Sequence, residues 1–560
     1  MPSTMPILTP GSMDVPAIIR GIPLGDEPGL GALTLPGFLG QVTARFGPRE
    51  ALVLHENGTR ISWTYDDLNA HAQAVARALI ACGTGKDERI GILMSNRPEW
   101  VSACFGIALA GGVAVGLSTF STPDELAALI ALSGISTLLV ERHVAGKDFA
   151  AMLGELPAAH FPFLTRIVRL GESAYEGWEQ FLARGRDIDP GLVAARAATV
   201  TPADPAMIFF SSGSTGKPKG IVNSHRGVNI QSWRWPRIYA MNADDHVRTW
   251  APNGLFWSGN FSIAVGATFA VGGALILQRT FDPAEAVSLM ATERVSLPYC
   301  WPHQWASLEA AEGWDEADLS SFRFFEPGQN LRRPQQSIQT DWIEPHASYG
   351  STETFTISTS YPCDTPQDLW QGSSGEALPG NTVRIVDPTS GAVLKRGETG
   401  EIAVKGPTLM LGYLGIPNDE ALDENGFYHA GDGGYIDERG RLVFQGRIND
   451  IIKTGGANVS PVEIDWALCN CPGVKVCKTT GVPHETLGEM VVSCVVRVEG
   501  STLSEAEVIA FLKARLAAYK VPRKVLFIGQ GDLEFTDTAK IKPAEARAFA
   551  RRKLAEENGC

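Results

Sequence analysis

Two long stretches of the chain contain no Asp, Glu, Lys or Arg: Trp100–Pro123 and Thr249–Gln278. Each is long enough for a transmembrane helix, which needs about 20 apolar residues. Each is also broken by small and polar residues, at Gly111-Gly112, Asn253-Gly254, Ser258-Gly259-Asn260 and Gly272-Gly273. A buried helix that runs through a glycine turn into a parallel strand accounts for both stretches better, because strands covered on both faces read as continuous apolar runs. The expectation is a buried α/β core with no integral membrane segment.

The flanking sequence agrees. Ala51–His55 and Thr59–Trp63 surround Asn57-Gly58, a hairpin signal. Thr64–Asp67 reads as a helix start, and Leu68, Val75, Leu79 and Ile80 supply an apolar stripe. Arg89–Met94 reads as a strand, and the alternation of strands and helices, continuing to about Leu297, predicts doubly wound sheets. From Gly372 to Val443 short alternating runs such as Thr382–Val386, Glu401–Val404 and Arg441–Phe444 predict a small β-subdomain. After Gly446 an α+β segment is expected, with a helix at 463–468, a strand at 491–498 and a helix at 504–518 opened by Ser504 and Glu507. The predicted organisation of the 560 residues is a large N-terminal α/β domain over 1–446 and a small, mobile α+β domain over 447–560.

Composition narrows the functional classes. The net charge of −14 argues against a nucleic-acid binder that works by bulk charge, while leaving room for a local basic site for a phosphorylated ligand. Nine cysteines in so long a chain make no disulfide framework. Only Cys469, Cys471, Cys477 and Cys494 cluster, and with His484 alone nearby they lack the paired spacing of a metal site. Met1–Pro16 has no secretory pattern, so a cytoplasmic protein is expected. The sequence leaves oligomeric state open, a homodimer included.

The strongest local signal is Phe209-Phe210-Ser211-Ser212-Gly213-Ser214-Thr215-Gly216-Lys217-Pro218-Lys219-Gly220, directly after the apolar run that begins at Met207. Glycines let backbone N–H groups approach an anion, hydroxyls donate and lysines add positive charge, so this is a phosphate cradle. It is not a Walker A loop, because Pro218 stands where Ser or Thr would follow the lysine.

That loop resembles the signature of the adenylate-forming enzymes, a superfamily that includes acyl-CoA synthetases, adenylation domains and beetle luciferase. Further motifs match in order. They are Tyr349-Gly350-Ser351-Thr352-Glu353, Gly372–Gly380, Gly426–Asp432, Gly446-Arg447-Ile448-Asn449-Asp450, Ile452–Val459, Tyr519–Pro522 and Thr536–Ile541. The resemblance implies an acid:CoA ligase: a carboxylate attacks the α-phosphate of ATP to give an acyl-adenylate and pyrophosphate, then the thiol of CoA displaces AMP. It also implies site residues. Ser211, Ser212, Gly213, Ser214, Thr215, Gly216 and Lys219 would hold the β- and γ-phosphates. Glu353 would ligate Mg²⁺, Thr352 would donate to the α-phosphate, and Tyr349 with Gly350 would line the adenine site. Asp432 would accept the ribose hydroxyls and Arg447 would donate to the sugar or phosphate. Lys540 would bring the carboxylate and α-phosphate together, offsetting their repulsion. Rotation about Asn449 would then exchange Lys540 for the strand Lys453–Asn458, whose Gly455 and Gly456 would let the pantetheine arm pass.

The chain departs from the family pattern at five places. Asn449 stands where Asp or Lys is usual at the hinge, Ala539 replaces the glycine before the lysine, Glu534 stands where Pro is typical, Trp257 takes the position of the gate histidine, and Gln329 and Asn330 follow Gly328 where Gly-Ala-Pro is common. The acyl pocket is expected from Phe256, Trp257, Asn260, Tyr299, Trp301, His303 and Gly328. With so many aromatic surfaces and no evident acidic partner for an amino group, the expected substrate is a hydrophobic acid: fatty, aryl-alkanoic or polycyclic. The alternatives are an adenylation enzyme that loads a carrier protein, an amidase-like hydrolase using Ser and Lys, and a nucleotide binder without catalysis. The hydrolase leaves Glu353, Asp432 and Arg447 without a role.

Overall fold

The computed structural model describes residues 15–156, 161–171, 175–212, 218–325, 340, 342–345, 347–454, 457–484, 486–516, 518–529, 532 and 541–557. Among these, no helix is long and apolar enough to cross a membrane. Packing divides the chain into two compact units, one of residues 20–382 with 404–428, the other of the remainder.

Both charge-free stretches fold as their glycine punctuation predicts. The first becomes the helix Pro98–Leu109, buried at every position but Glu99, and after Gly111, at φ 82°, the fully buried strand Val113–Gly116. The second contains the strand Arg248–Trp250, a continuous helical segment over 258–270 and, after Gly272 at φ 69°, the strand Ala274–Leu277. The middle of that helical segment, Phe261–Ala267, is π-helical. Such widened turns recur at functional sites.

These strands anchor two sheets of the first unit. An eight-stranded sheet runs in the order 176–177, 166–170, 137–141, 89–93, 113–116, 205–212, 218–224, 412–413. Its first six strands are parallel and its last three are joined antiparallel. A five-stranded sheet runs 297–298, 248–250, 274–277, 50–56, 59–64, ending in the hairpin whose turn residues Asn57 and Gly58 have φ of 51° and 74°. Two positive φ angles make this the primed turn that matches strand twist. Thr64 caps the helix Tyr65–Ala81 reciprocally with Asp67.

One ion-pair hub ties the second sheet together. Glu293 accepts hydrogen bonds from His55 Nε2 (2.6 Å), Arg60 Nε (2.8 Å) and Arg248 Nη2. Burial pushes its carboxyl up, but the hydrogen bonds from Arg60 and His55 and the charges of Arg60 and Arg248 pull harder and hold it at about 2. Glu293 is buried but its partners are 24–41% exposed, so with solvent screening the loss of its charge costs about 1–2 kcal/mol. Glu293→Gln is therefore expected to lower stability by about that amount in urea denaturation. Because the folded-state value lies below the ordinary 4.5, the contribution is complete above that pH and lost as pH falls toward 2. The deficit of the variant should stay constant at neutral pH and close in acid.

The second unit holds the small β-sheet, in the order 18–20, 382–386, 400–405, 428–436, 442–447, and a second sheet of 457–459, 452–454, 488–497 and 474–484, with Lys524–Phe527 parallel to Gly488–Arg497. The helices Pro461–Cys469 and Glu505–Lys513 cover one face through Ile464, Leu468, Val508 and Leu512, and Pro543–Glu557 covers the other through Ala546, Phe549 and Ala550. Ser504 and Glu507 form the expected reciprocal cap. The helix they open ends at Lys513 instead of reaching 518, because the N–H groups of Arg515 and Leu516 both turn back to Leu512 O and Leu516 packs into the core.

Candidate active site

The strands on either side of the phosphate loop, Pro205–Ser212 and Pro218–Ser224, pair antiparallel. Strand Pro205–Ser212 runs further than a loop reading implies, pairing Ser211 with Lys219 and Ser212 with Pro218. On the far side of strand Pro218–Ser224 lies the edge strand Gly412–Tyr413. This register brings the Lys219 ammonium over the Tyr413 ring, 5.0 Å from its centroid. The Tyr413 hydroxyl donates to Glu353 Oε1 at 2.8 Å and lies 3.3 Å from the Tyr428 hydroxyl. Burial, the neighbouring Tyr428 and the Glu353 carboxylate push the Tyr413 phenol far up, so it is a donor at every physiological pH. Glu353 is 9% exposed, and its main-chain carbonyl accepts from Met410 N at 2.7 Å. A buried carboxylate with one oxygen fixed by a tyrosine, and a lysine over the ring of that same tyrosine, are suited to cation and phosphate binding.

The turn that carries Glu353 is unusually constrained. Thr352–Thr354 form a 3-10 turn, after which Phe355 and Thr356 adopt φ of 44° and 85°. Side chains in this region cost of order 1–3 kcal/mol and cluster at functional sites. Here Phe355 is fully buried, with its ring 5.9 Å from that of Phe209, and the packing sustains the turn. A Cβ on Gly350 would stand 2.0 Å from Thr356 O, so the glycine before the turn is a steric requirement. Tyr349 itself is buried on the short strand Ser348–Tyr349.

The gate adjoins this turn directly. Ser258 Oγ lies 3.3 Å from Thr352 Oγ1. Phe256 and Trp257 precede it with ring centroids 5.0 Å apart, and Trp257 lies 5.1 Å from Trp301. The segment is held from behind. Asn96 accepts from Leu255 N (3.0 Å) and donates to Asn253 O (2.9 Å), Gln304 donates to Asn253 Oδ1 (3.0 Å), and Asn260 donates to Asn253 O. Asn260 is thus bound into the scaffold of the gate. Tyr299 packs against two hydrophobic clusters of the unit and lines a small cavity of about 50 Å³ with Tyr239, Pro298, Cys300, Trp305 and Trp342. Trp305 also packs the core against Phe322 and Phe325.

In the second unit, Asp432 and Arg447 face each other across the strands Tyr428–Ile436 and Leu442–Arg447. Arg447 Nε lies 3.1 Å from Asp432 Oδ1 while Nη1 donates to Ala430 O at 2.7 Å. Asp432 is buried and Arg447 exposed, so the pair presents one fixed acceptor and one reachable donor. Glu401 braces the turn before them, accepting from Gly431 N (3.0 Å) and pairing with His429 Nδ1 (3.0 Å). Asn449 is exposed on the 3-10 turn Ile448–Asp450. Lys453 is exposed too, and the segment expected as one strand over 453–458 consists of two, Ile452–Thr454 and Ala457–Val459, with Lys453 opposite Asn458.

A family model described as AMP-binding enzyme matches residues 40–414, well over half of the chain. The chain belongs to the AMP-binding enzyme family. A second model, the AMP-binding enzyme C-terminal domain, matches residues 463–540. A curated relative from Mycobacterium tuberculosis, a methyl-dioxo-octahydroindenyl-propanoyl:CoA ligase, is 31% identical over 88% of this chain and 95% of its own. An indoleacetate–CoA ligase from Aromatoleum aromaticum is 30% identical over 88% and 94%. The crystal structure of ATP-bound MatB from Rhodopseudomonas palustris matches with a TM-score of 0.68 at 26% identity, covering 93% of this chain and 99% of that one. The protein is accordingly a ligase of the AMP-forming type whose curated relatives are CoA ligases. Membership removes the amidase-like reading.

Several expected site residues of this AMP-binding enzyme lie outside the described residues: Gly213, Ser214, Thr215, Gly216, Gly328, Gly455, Gly456 and Lys540, together with the side chains of Ser212 and His303. The structure sets Lys219 and Glu353 against one tyrosine, Tyr413, and brings together Thr352 with the gate and Asp432 with Arg447. Tyr413, Glu401, Asn96 and Gln304 escaped sequence reasoning. Each acts through a partner far away in the chain, and no local pattern marks it.

Proposed function

We propose that the protein joins a hydrophobic carboxylic acid of the aryl-alkanoic or polycyclic kind to CoA, through an acyl-adenylate made from ATP, releasing pyrophosphate and then AMP. One observation carries the reading: Thr352 and Glu353 sit on a single constrained turn, with the aromatic gate on one side and the Lys219–Tyr413 pair on the other. An acid held at the gate would therefore meet an anion held by the loop. Trp257, Trp301, Tyr299 and Phe256 favour an aromatic or fused-ring acid, in line with the indane-type and indole acids named for the two relatives.

Mg²⁺ fits the site in a limited way. The described residues contain no group of three acidic, His or Cys side chains able to hold a metal, so Glu353 would be its protein ligand and substrate phosphates and waters would complete the shell. Bound there, the ion would neutralise phosphate charge. Lys219 and the Ser211 hydroxyl would hold the terminal phosphates, Thr352 would donate to the α-phosphate and Asp432 would accept the ribose hydroxyls. Lys540 would bridge the two reacting anions. A turn about Asn449, whose side-chain type tolerates unusual dihedrals, would follow, with residues 1–446 and 447–560 as the two moving bodies.

The test is a panel of aryl-alkanoic, polycyclic and fatty acids with ATP, Mg²⁺ and CoA, scored for AMP and thioester. AMP and thioester in equal amounts from an aromatic acid are expected. ADP in place of AMP would overturn the reading.

A further inference from the structure

Phe120 is 52% exposed although it lies against two other rings. It stands on the turn between the strand Val113–Gly116 and the helix Pro123–Ser133, outside every segment expected to build the acyl pocket. Its ring stacks on Trp257 at 5.8 Å and 22°, and meets Phe256 edge-on at 5.9 Å. Trp257 continues to Trp301 at 5.1 Å and 30°. The four rings form one aromatic wall: Phe256 is its buried base, and Phe120 is its exposed end.

The main chain that carries the exposed ring is tied down. Lys147 Nζ donates to the carbonyls of Thr119 (3.3 Å), Phe120 (2.7 Å) and Ser121 (3.0 Å), and Phe120 N donates to Ser118 Oγ at 3.2 Å. Thr122 and Glu125 cap the next helix reciprocally. A lysine committed to three main-chain oxygens orients a phenylalanine that contributes little to the core, since half its surface stays in water. Preorganised, flat and apolar, such a ring suits a ligand with a flat face.

We propose that Phe120 is an acid-binding, specificity-determining residue: its exposed face extends the wall of Trp257 and Trp301 to receive the aryl or fused-ring body of the carboxylic acid. Lys147 is a positioning residue that acts through it. The proposal rests on the acid:CoA reading above and adds the selection of ring over chain. A stacked pair favours an aromatic partner about 3- to 10-fold beyond what area alone provides.

The test compares kcat/KM for an aryl-alkanoic acid with that for an alkyl acid of equal carbon number, at saturating ATP and CoA. Phe120→Leu keeps the apolar surface and removes the flat face. Its aryl-to-alkyl ratio is expected to fall about 5-fold with the KM values for ATP and CoA unchanged. Lys147→Met, which leaves every ring in place, should lower the same ratio. The ratio is internal to one preparation, so it does not depend on the folded fraction. An unchanged ratio in both Phe120→Leu and Phe120→Ala, or a change confined to the KM for CoA, would overturn the proposal. Failure of the unsubstituted protein to make AMP and thioester from any acid would instead overturn the reading beneath it.

Discussion

Lys540→Ala is expected to abolish adenylate formation while leaving thioester formation from supplied acyl-adenylate largely intact. The first half-reaction forces a carboxylate against an α-phosphate, and a fixed cation between them is worth on the order of 10²–10³ in rate. The second half-reaction expels AMP from an adenylate already formed, so the same ammonium has no pair of approaching anions to reconcile. Pyrophosphate release measures the first step, and chromatography of thioester from synthetic adenylate measures the second. Lys540→Arg should recover only part of the first, because a planar guanidinium does not place its charge where a compact ammonium does. Equal loss of both half-reactions would sink the division of labour between Lys540 and the 453–458 segment.

Glu353→Gln is the second large effect. The amide preserves shape and still accepts from Tyr413, whose phenol is held protonated by burial, the adjacent Tyr428 and Glu353 itself. Folding should therefore be unaffected in a thermal melt, while kcat/KM falls on the order of 10²–10³ and the Mg²⁺ concentration needed for half-maximal rate rises. Glu353→Ala differs: it leaves the Tyr413 hydroxyl without this acceptor and costs about 1–3 kcal/mol of stability as well. Full activity of Glu353→Gln at unchanged Mg²⁺ would remove the carboxylate from the catalytic account.

What could be read from residues alone was whatever depends on neighbours in the chain. Thr64 with Asp67, Ser504 with Glu507 and the Asn57-Gly58 turn are all local hydrogen-bonding or dihedral requirements, and all three are present. The glycine-punctuated apolar runs likewise gave buried helix and strand, since absence of charge over so many residues leaves burial as the stable outcome. The helix expected over 504–518 ran long because helix propensity carries no information about where Leu516 must turn to fill a core. Tyr413 stayed hidden for a related reason: it reaches Glu353 across 60 residues, through an edge strand two residues long.

By itself, then, the sequence determined the class of fold, the order of the motifs and the chemistry they can offer, because side-chain type, spacing and glycine placement are properties of the chain. Only the tertiary structure decided which groups share a site. It placed Tyr413 between Lys219 and Glu353, set Ser258 of the gate on Thr352, and stacked Phe120 on Trp257. Sheet register and the packing of side chains from distant segments fix these pairings, and neither leaves a periodic trace in the linear order of residues.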